Sequence, residues 1–274
     1  GIVFACIAPH GSKAIPELTG NDSKAFAKTR KGMEKLARVL KNQEPETIVV
    51  ATPHNLRLEG AIGIVTSEFT EGNVRDNDKE VNLRCRCDPI LAKQIYLNSK
   101  NRKLQVVAAN YGTSEGENSC MPMDWGTLIP LWFFTRGKNS GFRVVIVTPS
   151  REIPFNNLIS FGRAIAKTAE TSKKRVAFVA SADQAHTHRS DGPYGFHPAA
   201  VKFDMIVKQA VLENELRPLF SLSNKLIDDA KPDSLWQMAI LQGILQTLPM
   251  KAQLLSYEAP TYFGMLCAAY LLKK

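Results

Sequence analysis

The sequence lacks any uninterrupted apolar run near the roughly 20 residues that a membrane-spanning helix needs, and it contains few cysteines. Its first residues have the pattern of a strand among polar neighbours rather than of a signal peptide, so we expect a cytoplasmic protein with no membrane partner. The five cysteines are odd in number and irregularly spaced, which argues against a disulfide framework and fits a reducing compartment. The short Cys85-Arg86-Cys87 motif does not by itself indicate a metal site.

A formal charge of +9 raises the question of a nucleic-acid partner. Six basic residues cluster between residues 28 and 41, in a segment where Phe26, Met33, Ala37 and Leu40 recur at helical spacing. This pattern is typical of an amphipathic helix with a solvated basic face, and it lacks the interleaved aromatic residues of a base-stacking surface. We therefore expect no nucleic-acid partner, although a basic surface would attract anionic aromatic acids.

Alternating strand-like and helix-like segments predict an α/β fold: one domain over residues 1–274, with a mixed central sheet flanked by helices. The predicted strands lie near residues 2–8, 47–52, 61–66, 104–109, 142–148, 175–181 and 252–257. The predicted helices lie near residues 23–42, 89–98, 156–171, 199–215 and 234–247, the last with a capping pair formed by Asp233 or Ser234 and Gln237. The polar, irregular segments 67–82, 110–124 and 182–198 predict long loops, which often line functional sites.

Two of the predicted strands end in the same dipeptide, Pro-His. The first is Ile2–Ala8, followed by Pro9-His10, and the second is Thr47–Thr52, followed by Pro53-His54. Proline cannot donate a ladder hydrogen bond and tends to end a strand. Each histidine therefore follows the carboxyl end of a strand, where open α/β sheets place their ligands. Two imidazoles at one sheet edge could supply half of a metal site, but spacing alone does not choose a third ligand.

Three motifs at the two ends of the chain carry a family resemblance. They are Ala8-Pro9-His10-Gly11, Thr52-Pro53-His54-Asn55 and Tyr257-Glu258-Ala259-Pro260-Thr261-Tyr262-Phe263-Gly264-Met265. In order and separation they resemble the class III extradiol ring-cleavage dioxygenases, the family of the catalytic subunit of protocatechuate 4,5-dioxygenase. The resemblance implies a mononuclear non-haem Fe(II) bound by His10, His54 and Glu258. Three protein ligands leave open positions for a catechol-type or 2-aminophenol-type substrate and for dioxygen.

Other residues near this site also have expected roles, some of them implied by the resemblance. Segment 181–186 is similar to the family stretch that ends in a catalytic histidine, so His186 is the expected acid/base residue. Trp125 occupies a position where the family often has a histidine, and it could stack on an aromatic substrate. Three further residues are expected to contribute to substrate binding: His188, His197 and Tyr262. The family often has subunit partners, which implies a homodimer or a complex with a second subunit.

Two other functions remain open on the sequence alone. The chain also resembles the related Memo-like proteins, which share the fold and serve as binding or signalling factors. A carboxylate such as Glu258 among the ligands favours oxygen-activating iron over that alternative. The same ligands could instead activate water in a metal-dependent hydrolase.

Overall fold

A mixed eight-stranded sheet forms the centre of the computed structural model, which describes residues 1–76, 78–137 and 141–273. The strand order is β10-β11-β1-β9-β2-β8-β3-β6. These strands are β1 (Ile2–Ala8), β2 (Thr47–Ala51), β3 (Ile62–Val65), β6 (Val106–Ala109), β8 (Arg143–Thr148), β9 (Val176–Ser181), β10 (Met250–Glu258) and β11 (Met265–Leu272). The four neighbours β1, β9, β2 and β8 run parallel to one another. Their carboxyl ends therefore lie together at one edge of the sheet.

The parallel strands are apolar because both of their faces are buried. Along β1 and β2, alternate side chains enter two separate cores: Ile7 and Val49 belong to one, and Cys6 and Val50 to the other. Seven α-helices lie within the described residues. They are α1 (Ala27–Asn42), α2 (Pro89–Asn101), α3 (Trp125–Thr135), α4 (Phe155–Ser172), α5 (Ala199–Leu212), α6 (Asn224–Ala230) and α7 (Leu235–Leu245). Side chains of α2, α4, α5 and α7 build one core, and those of α1 and α3 build the other.

The α/β fold with a mixed, helix-flanked sheet confirms the prediction from the sequence, and every predicted strand and helix has a counterpart. The basic, amphipathic segment forms α1, which begins at Ala27 rather than at residue 23 and buries Met33, Leu36 and Leu40. Among the described residues, no helix combines the length and apolarity needed to cross a membrane.

Two predicted loops instead contain strands of a small second sheet with the order β5-β4-β7. Its members are β4 (Phe69–Asp76), β5 (Lys79–Arg86) and β7 (Cys120–Pro122). Strands β4 and β5 form an antiparallel pair that is partly exposed, so polar residues predominate along them. The prediction of irregular loops at 67–82 and 110–124 is therefore wrong for these stretches, because a polar sequence can form strands where one face is solvated. Asn77 lies outside the described residues.

Helix α3 was not predicted because its sequence is apolar on all sides and contains Pro130. It is almost fully buried, so it has no polar face to produce a helical period. Asp124 caps the helix by accepting a hydrogen bond from the Thr127 amide. Asp124 also accepts the hydroxyl of Thr52, and this contact places the start of α3 next to the end of β2.

Candidate metal centre and cavity

The two histidines of the Pro-His motifs meet at the carboxyl edge of the sheet. His10 follows β1 and His54 follows β2, and β9 is the strand between them. Their Nε2 atoms lie 3.1 Å apart. The expectation that two parallel strands bring these rings to one edge is therefore confirmed by the geometry.

The protonation of His10 follows from its contact with Ser181, at the end of β9. The Ser181 hydroxyl donates to the Gly126 carbonyl oxygen at 2.5 Å, so its oxygen is available as an acceptor. His10 Nδ1 lies 3.0 Å from that oxygen and donates to it. In the neutral ring, Nε2 therefore presents a lone pair toward His54. Two imidazole nitrogens at this distance need a proton or a metal cation between them.

Asp233 supplies the carboxylate that faces both histidines. Its Oδ2 lies 3.3 Å from Nε2 of His10 and 3.3 Å from Nε2 of His54. Among the described residues, His10, His54 and Asp233 form a group of potential metal ligands whose atoms all lie within 4.8 Å of one another. Asp233 is held in place by the Asp183 amide, which donates to its Oδ1 at 3.0 Å.

The charges of this group depend on one another. Burial alone would raise the pKa of Asp233, but the charge of His10 and the hydrogen bonds from His10 and His54 hold it well below its ordinary value. Burial alone would lower the pKa of His10, but the charges of Asp183 and Asp233 raise it to about 9. At neutral pH and without a metal, a proton thus occupies the place where the donor atoms converge. A divalent cation would replace it.

Asp183 is a second buried carboxylate beside His10. Its Oδ1 accepts the His10 backbone amide at 3.0 Å, and its Oδ2 lies 3.3 Å from His10 Nε2. Burial raises the pKa of Asp183 to about 6, against the opposing charge of His10. Asp183 therefore fixes the backbone of His10 and adds negative charge next to the candidate metal centre.

Glu258, the third ligand implied by the family resemblance, is not brought to the histidines. Its Oε1 accepts hydrogen bonds from the amide and the hydroxyl of Thr29, both at 2.6 Å. Thr29 lies in the first turn of α1, where backbone amides have no partner within the helix. Strand β10 packs against α1, so its final carboxylate contacts that helix terminus, whereas the carboxylate that lies beside both histidines is that of Asp233.

The sequence does not identify Asp233 as a candidate metal ligand, because an aspartate just before a helix has the pattern of an N-cap. In the structure the residue flanking α7 is Ser234, and no side chain caps the helix. Gln237, the other half of the predicted capping pair, donates to the carbonyl oxygens of Ser181 and Asp233 instead. The predicted capping pair is therefore wrong. Apart from its place before a helix, Asp233 is one of 26 acidic residues, and nothing in the sequence distinguishes it from the others as a metal ligand.

Trp125 lies on His54. The two rings are stacked with their centroids 4.1 Å apart and an interplanar angle of 26°. Asp124 links the two segments, since it accepts the Thr52 hydroxyl at 2.6 Å and also caps α3. A Cβ at Gly126 would lie 2.5 Å from the Thr52 hydroxyl oxygen, so glycine permits this close approach. Trp125 is nevertheless 48% exposed, which leaves part of its ring open to the cavity in front of the histidines.

A cavity of about 880 Å³ opens directly on the candidate metal centre. This volume lies in the range of sites for small organic ligands. Its lining combines His10, His54, Asp183 and Asp233 with His186 and with aromatic and basic side chains. The aromatic and basic lining residues are Trp125, Tyr194, Trp236, Tyr262, Phe263, Arg75, Arg151 and Lys231.

His186 is half-buried in the wall of this cavity. Its ring is stacked on Phe263 with centroids 5.4 Å apart, and Tyr262 lies at 5.9 Å. Its Nδ1 lies 2.8 Å from the carbonyl oxygen of Gln184, which can only accept, so Nδ1 carries the proton. In the neutral ring, Nε2 is then free to accept a proton.

Two histidines expected to contribute to substrate binding do not line the cavity. His188 Nε2 pairs with Asp204 Oδ2 at 2.7 Å, in a buried position behind the cavity wall. His197 precedes α5, where its Nδ1 accepts the Ala199 amide at 3.1 Å. Both residues therefore contact neighbouring protein groups, whereas Trp125 and Tyr262 do lie in the cavity wall.

Fold and site together define an α/β protein with a His-His-Asp candidate metal centre at the carboxyl edge of parallel strands. A sequence model of one family, the catalytic LigB subunit of aromatic ring-opening dioxygenase, matches residues 4–266. The chain belongs to this family of dioxygenase-type enzymes, which confirms the resemblance drawn from the sequence motifs.

Two known proteins are similar to the chain. Protein CA_C1420 of Clostridium acetobutylicum is 26% identical over 253 residues, which cover 92% of this chain and 54% of that protein. The chain thus spans about half the length of this relative. The crystal structure of the uncharacterized protein JW3007 from Escherichia coli K12 has a TM-score of 0.63 at 16% identity and covers 97% of this chain and 99% of that one. This second likeness concerns the fold.

Proposed function

We propose that the protein is a non-haem Fe(II)-dependent extradiol dioxygenase that opens the ring of a catechol-type or 2-aminophenol-type substrate with dioxygen. The observation that supports this most strongly is the convergence of His10, His54 and Asp233 at the base of a cavity with aromatic walls. The proposal rests on the family together with this site, since the family model alone does not specify the metal or the substrate.

The donor chemistry fits a divalent iron. Two imidazoles and one carboxylate form the ligand type of non-haem Fe(II) oxygenases, and they leave positions open for other ligands. Fe(II) bound there would supply the redox chemistry, since it could bind a catecholate and dioxygen together and pass electrons from one to the other. Both oxygen atoms would then be incorporated into the ring-opened product. We propose His10, His54 and Asp233 as the ligands, with Asp233 in the place first expected for Glu258.

The chain's own residues would then bind and orient the substrate and handle its protons. Trp125 and Tyr262 offer faces against which an aromatic ring can pack. Arg151 and Lys231 at the cavity wall favour substrates that carry an anionic substituent, whereas Arg75 is paired with Glu80. A catechol that binds as an anion must lose a proton, and His186 is the residue proposed to accept it at Nε2 and to return it later.

The experiment that tests the proposal starts from metal-free protein loaded with Fe(II) without oxygen. Substituted catechols and 2-aminophenols are added, then buffer containing dioxygen, and oxygen consumption is measured with an electrode while the product is identified by mass. Ring cleavage predicts a mass gain of both oxygen atoms. Catechol binding without oxygen consumption would show that this function is wrong.

The same preparation distinguishes the alternatives. A metal-dependent hydrolase would turn over ester or amide substrates without consuming dioxygen. A Memo-like binding protein would retain metal but show neither activity. Either a homodimer or a complex with a second subunit, and a cytoplasmic location, remain part of the proposal, and sedimentation of the purified protein tests for the homodimer.

A further inference from the structure

A buried cluster behind the cavity wall contains Asp204, a residue that the proposed mechanism does not use. Asp204 lies in α5 and is only 1% exposed. Its Oδ2 lies 2.7 Å from His188 Nε2 and accepts the Tyr257 hydroxyl at 2.6 Å. Burial and the neighbouring Asp204 raise the pKa of Tyr257 far above its ordinary value, so the phenol stays a donor. An anion thus occupies the centre of a cluster whose members come from three segments of the chain.

The other oxygen of Asp204 reaches toward the cavity through a single peptide group. Asp204 Oδ1 accepts the Ala185 amide at 2.9 Å. The carbonyl oxygen of the same peptide group belongs to Gln184 and accepts His186 Nδ1 at 2.8 Å. The chain of hydrogen bonds is therefore Asp204, then the peptide group between residues 184 and 185, then the ring of His186. Hydrogen bonds in such a chain polarise one another, and a charged acceptor strengthens the one it receives.

The cluster also ties the segment of His186 to the segment of Tyr262 and Phe263. The Gly264 amide donates to the Ala185 carbonyl oxygen at 3.0 Å, and the His188 amide donates to that of Tyr262 at 3.0 Å. A Cβ at Gly264 would lie 1.9 Å from Asp204 Oδ2, so only glycine lets this strand end approach the carboxylate. The segment that carries the aromatic rings packed against His186 is thus hydrogen-bonded to the segment of His186 and lies directly beside Asp204.

From this geometry we propose that Asp204 is a positioning residue that acts through the peptide group of residues 184 and 185 and holds His186 as the Nδ1–H tautomer. The peptide group transmits the negative charge of Asp204 to its carbonyl oxygen and fixes the direction of that oxygen. The Nε2 of His186 is left unprotonated in the neutral ring. This inference rests on the proposed acid/base role of His186, because a proton acceptor must present its free nitrogen to the cavity.

The test measures the tautomer directly and does not depend on turnover. Histidine labelled with ¹⁵N is introduced into zinc-loaded protein, and two-bond ¹H–¹⁵N correlations report which nitrogen of each of the five rings carries the proton. His186→Phe assigns the signals. We expect the neutral His186 ring to be Nδ1–H in the wild-type protein. An Nε2–H ring there would overturn the proposal without any further variant.

Two nearly isosteric variants then separate positioning from simple packing. Asp204→Asn keeps the side-chain shape but removes the charge, and we expect a mixture of His186 tautomers with unchanged zinc content. Tyr257→Phe is the matched control, since it removes one hydrogen bond from Asp204 but leaves the peptide contact, and we expect the wild-type tautomer. If Asp204→Asn retains the wild-type ¹⁵N pattern, the inference is wrong. If Asp204→Asn does not fold, Gly264→Ala is the second variant, because its Cβ would displace the Asp204 carboxylate. We expect a mixture of His186 tautomers in Gly264→Ala as well, and an unchanged wild-type ¹⁵N pattern there would overturn the proposal.

Kinetics provide a second readout if the proposed function holds. We expect Asp204→Asn to lower kcat by about 10- to 100-fold, the usual cost of losing an outer hydrogen-bond partner, with a smaller change in KM. Tyr257→Phe should stay close to the wild-type kcat. Equal losses in both variants would assign the effect to packing. Absence of oxygen consumption even in the wild-type protein would refute the function, while the tautomer measurement would still test Asp204.

Discussion

His10 and His54 present their Nε2 atoms to each other at 3.1 Å, although 44 positions separate them in the chain. The Ser181 hydroxyl fixes the proton of His10 on the opposite nitrogen. Two ring nitrogens at this distance need a proton or a metal cation between them, and Asp233 adds a negative charge to the same point. The arrangement therefore selects for a proton or a metal ion, and it leads, together with the cavity beside it, to the following predictions.

The first prediction concerns the third ligand. Asp233→Asn should abolish tight binding of Fe(II) or Zn²⁺, because it removes the charge that balances the cation. Glu258→Gln, a matched change from carboxylate to amide, should keep the metal and lower the free energy of unfolding by about 1 kcal/mol, the worth of an anion at a helix N-terminus. Metal analysis after dialysis and urea unfolding provide the two measurements. Loss of metal only in Glu258→Gln would restore Glu258 as the ligand.

The second prediction concerns pH. The pKa of His10 is raised to about 9, so a metal ion must displace a proton at neutral pH. The apparent affinity for Zn²⁺ should rise by about tenfold per pH unit between pH 6.5 and 8, because each unit removes tenfold of the competing proton. Calorimetry in buffers of different ionisation enthalpy should show proton release on binding. An affinity that stays constant over this range would contradict the assignment.

The raised pKa of His10 also predicts how the stability of the metal-free protein changes with pH. A group whose pKa is higher in the folded state stabilises that state fully below its unfolded pKa of about 6.5. This stabilisation should be lost as the pH rises toward the folded value of about 9. Zinc-loaded protein serves as the control, since the ion replaces the proton, and it should keep its Tm over the same interval.

The third prediction separates binding of the metal from the handling of protons. His186→Phe should retain iron and slow turnover by about 10²- to 10⁴-fold, the usual contribution of a positioned acid/base residue. The new ring can pack against Phe263, on which His186 is stacked. His197→Phe is the control, because His197 lies outside the cavity and should leave both properties unchanged. Loss of iron in His186→Phe would mean that His186 is itself a ligand.

The fourth prediction concerns Trp125, which covers one face of His54. Trp125→Ala should raise the Kd of a catechol by about 2- to 12-fold, the equivalent of the 0.5–1.5 kcal/mol that an aromatic pair contributes. Trp125→Phe keeps an aromatic face and should lie between the two. Titration of zinc-loaded protein with 4-substituted catechols measures binding without turnover. Equal affinity in all three proteins would show that the ring of Trp125 only supports His54.

Several parts of the site could be predicted from the sequence, because they depend only on residues that are neighbours along the chain. The two Pro-His motifs placed His10 and His54 at strand ends, since proline cannot donate a ladder hydrogen bond and tends to end a strand. Segment 181–186 follows β9, so it placed His186 at the same edge. The fold class was also accessible, because apolar strands that alternate with amphipathic helices have few other ways to bury their faces.

Other parts of the fold and the site could not be predicted from the sequence, because their local sequence fits two different structural settings equally well. The polar stretches at β4 and β5 were predicted to be loops, and only the small sheet shows that one of their faces is covered. Asp233 and Glu258 are both carboxylates at the end of an element. Which of them faces the histidines depends on how α6, α7 and β10 pack, and that packing involves contacts between residues more than 200 positions apart.

The sequence by itself determined the α/β class, the family and the two imidazoles, because these follow from short motifs and from the alternation of apolar residues. Only the tertiary structure decided the carboxylate of the centre, the stacking of Trp125 on His54 and the path from Asp204 to His186. The physical reason is that hydrogen bonds and charge pairs act over about 3 Å. A chain must fold before residues distant in sequence come within that distance.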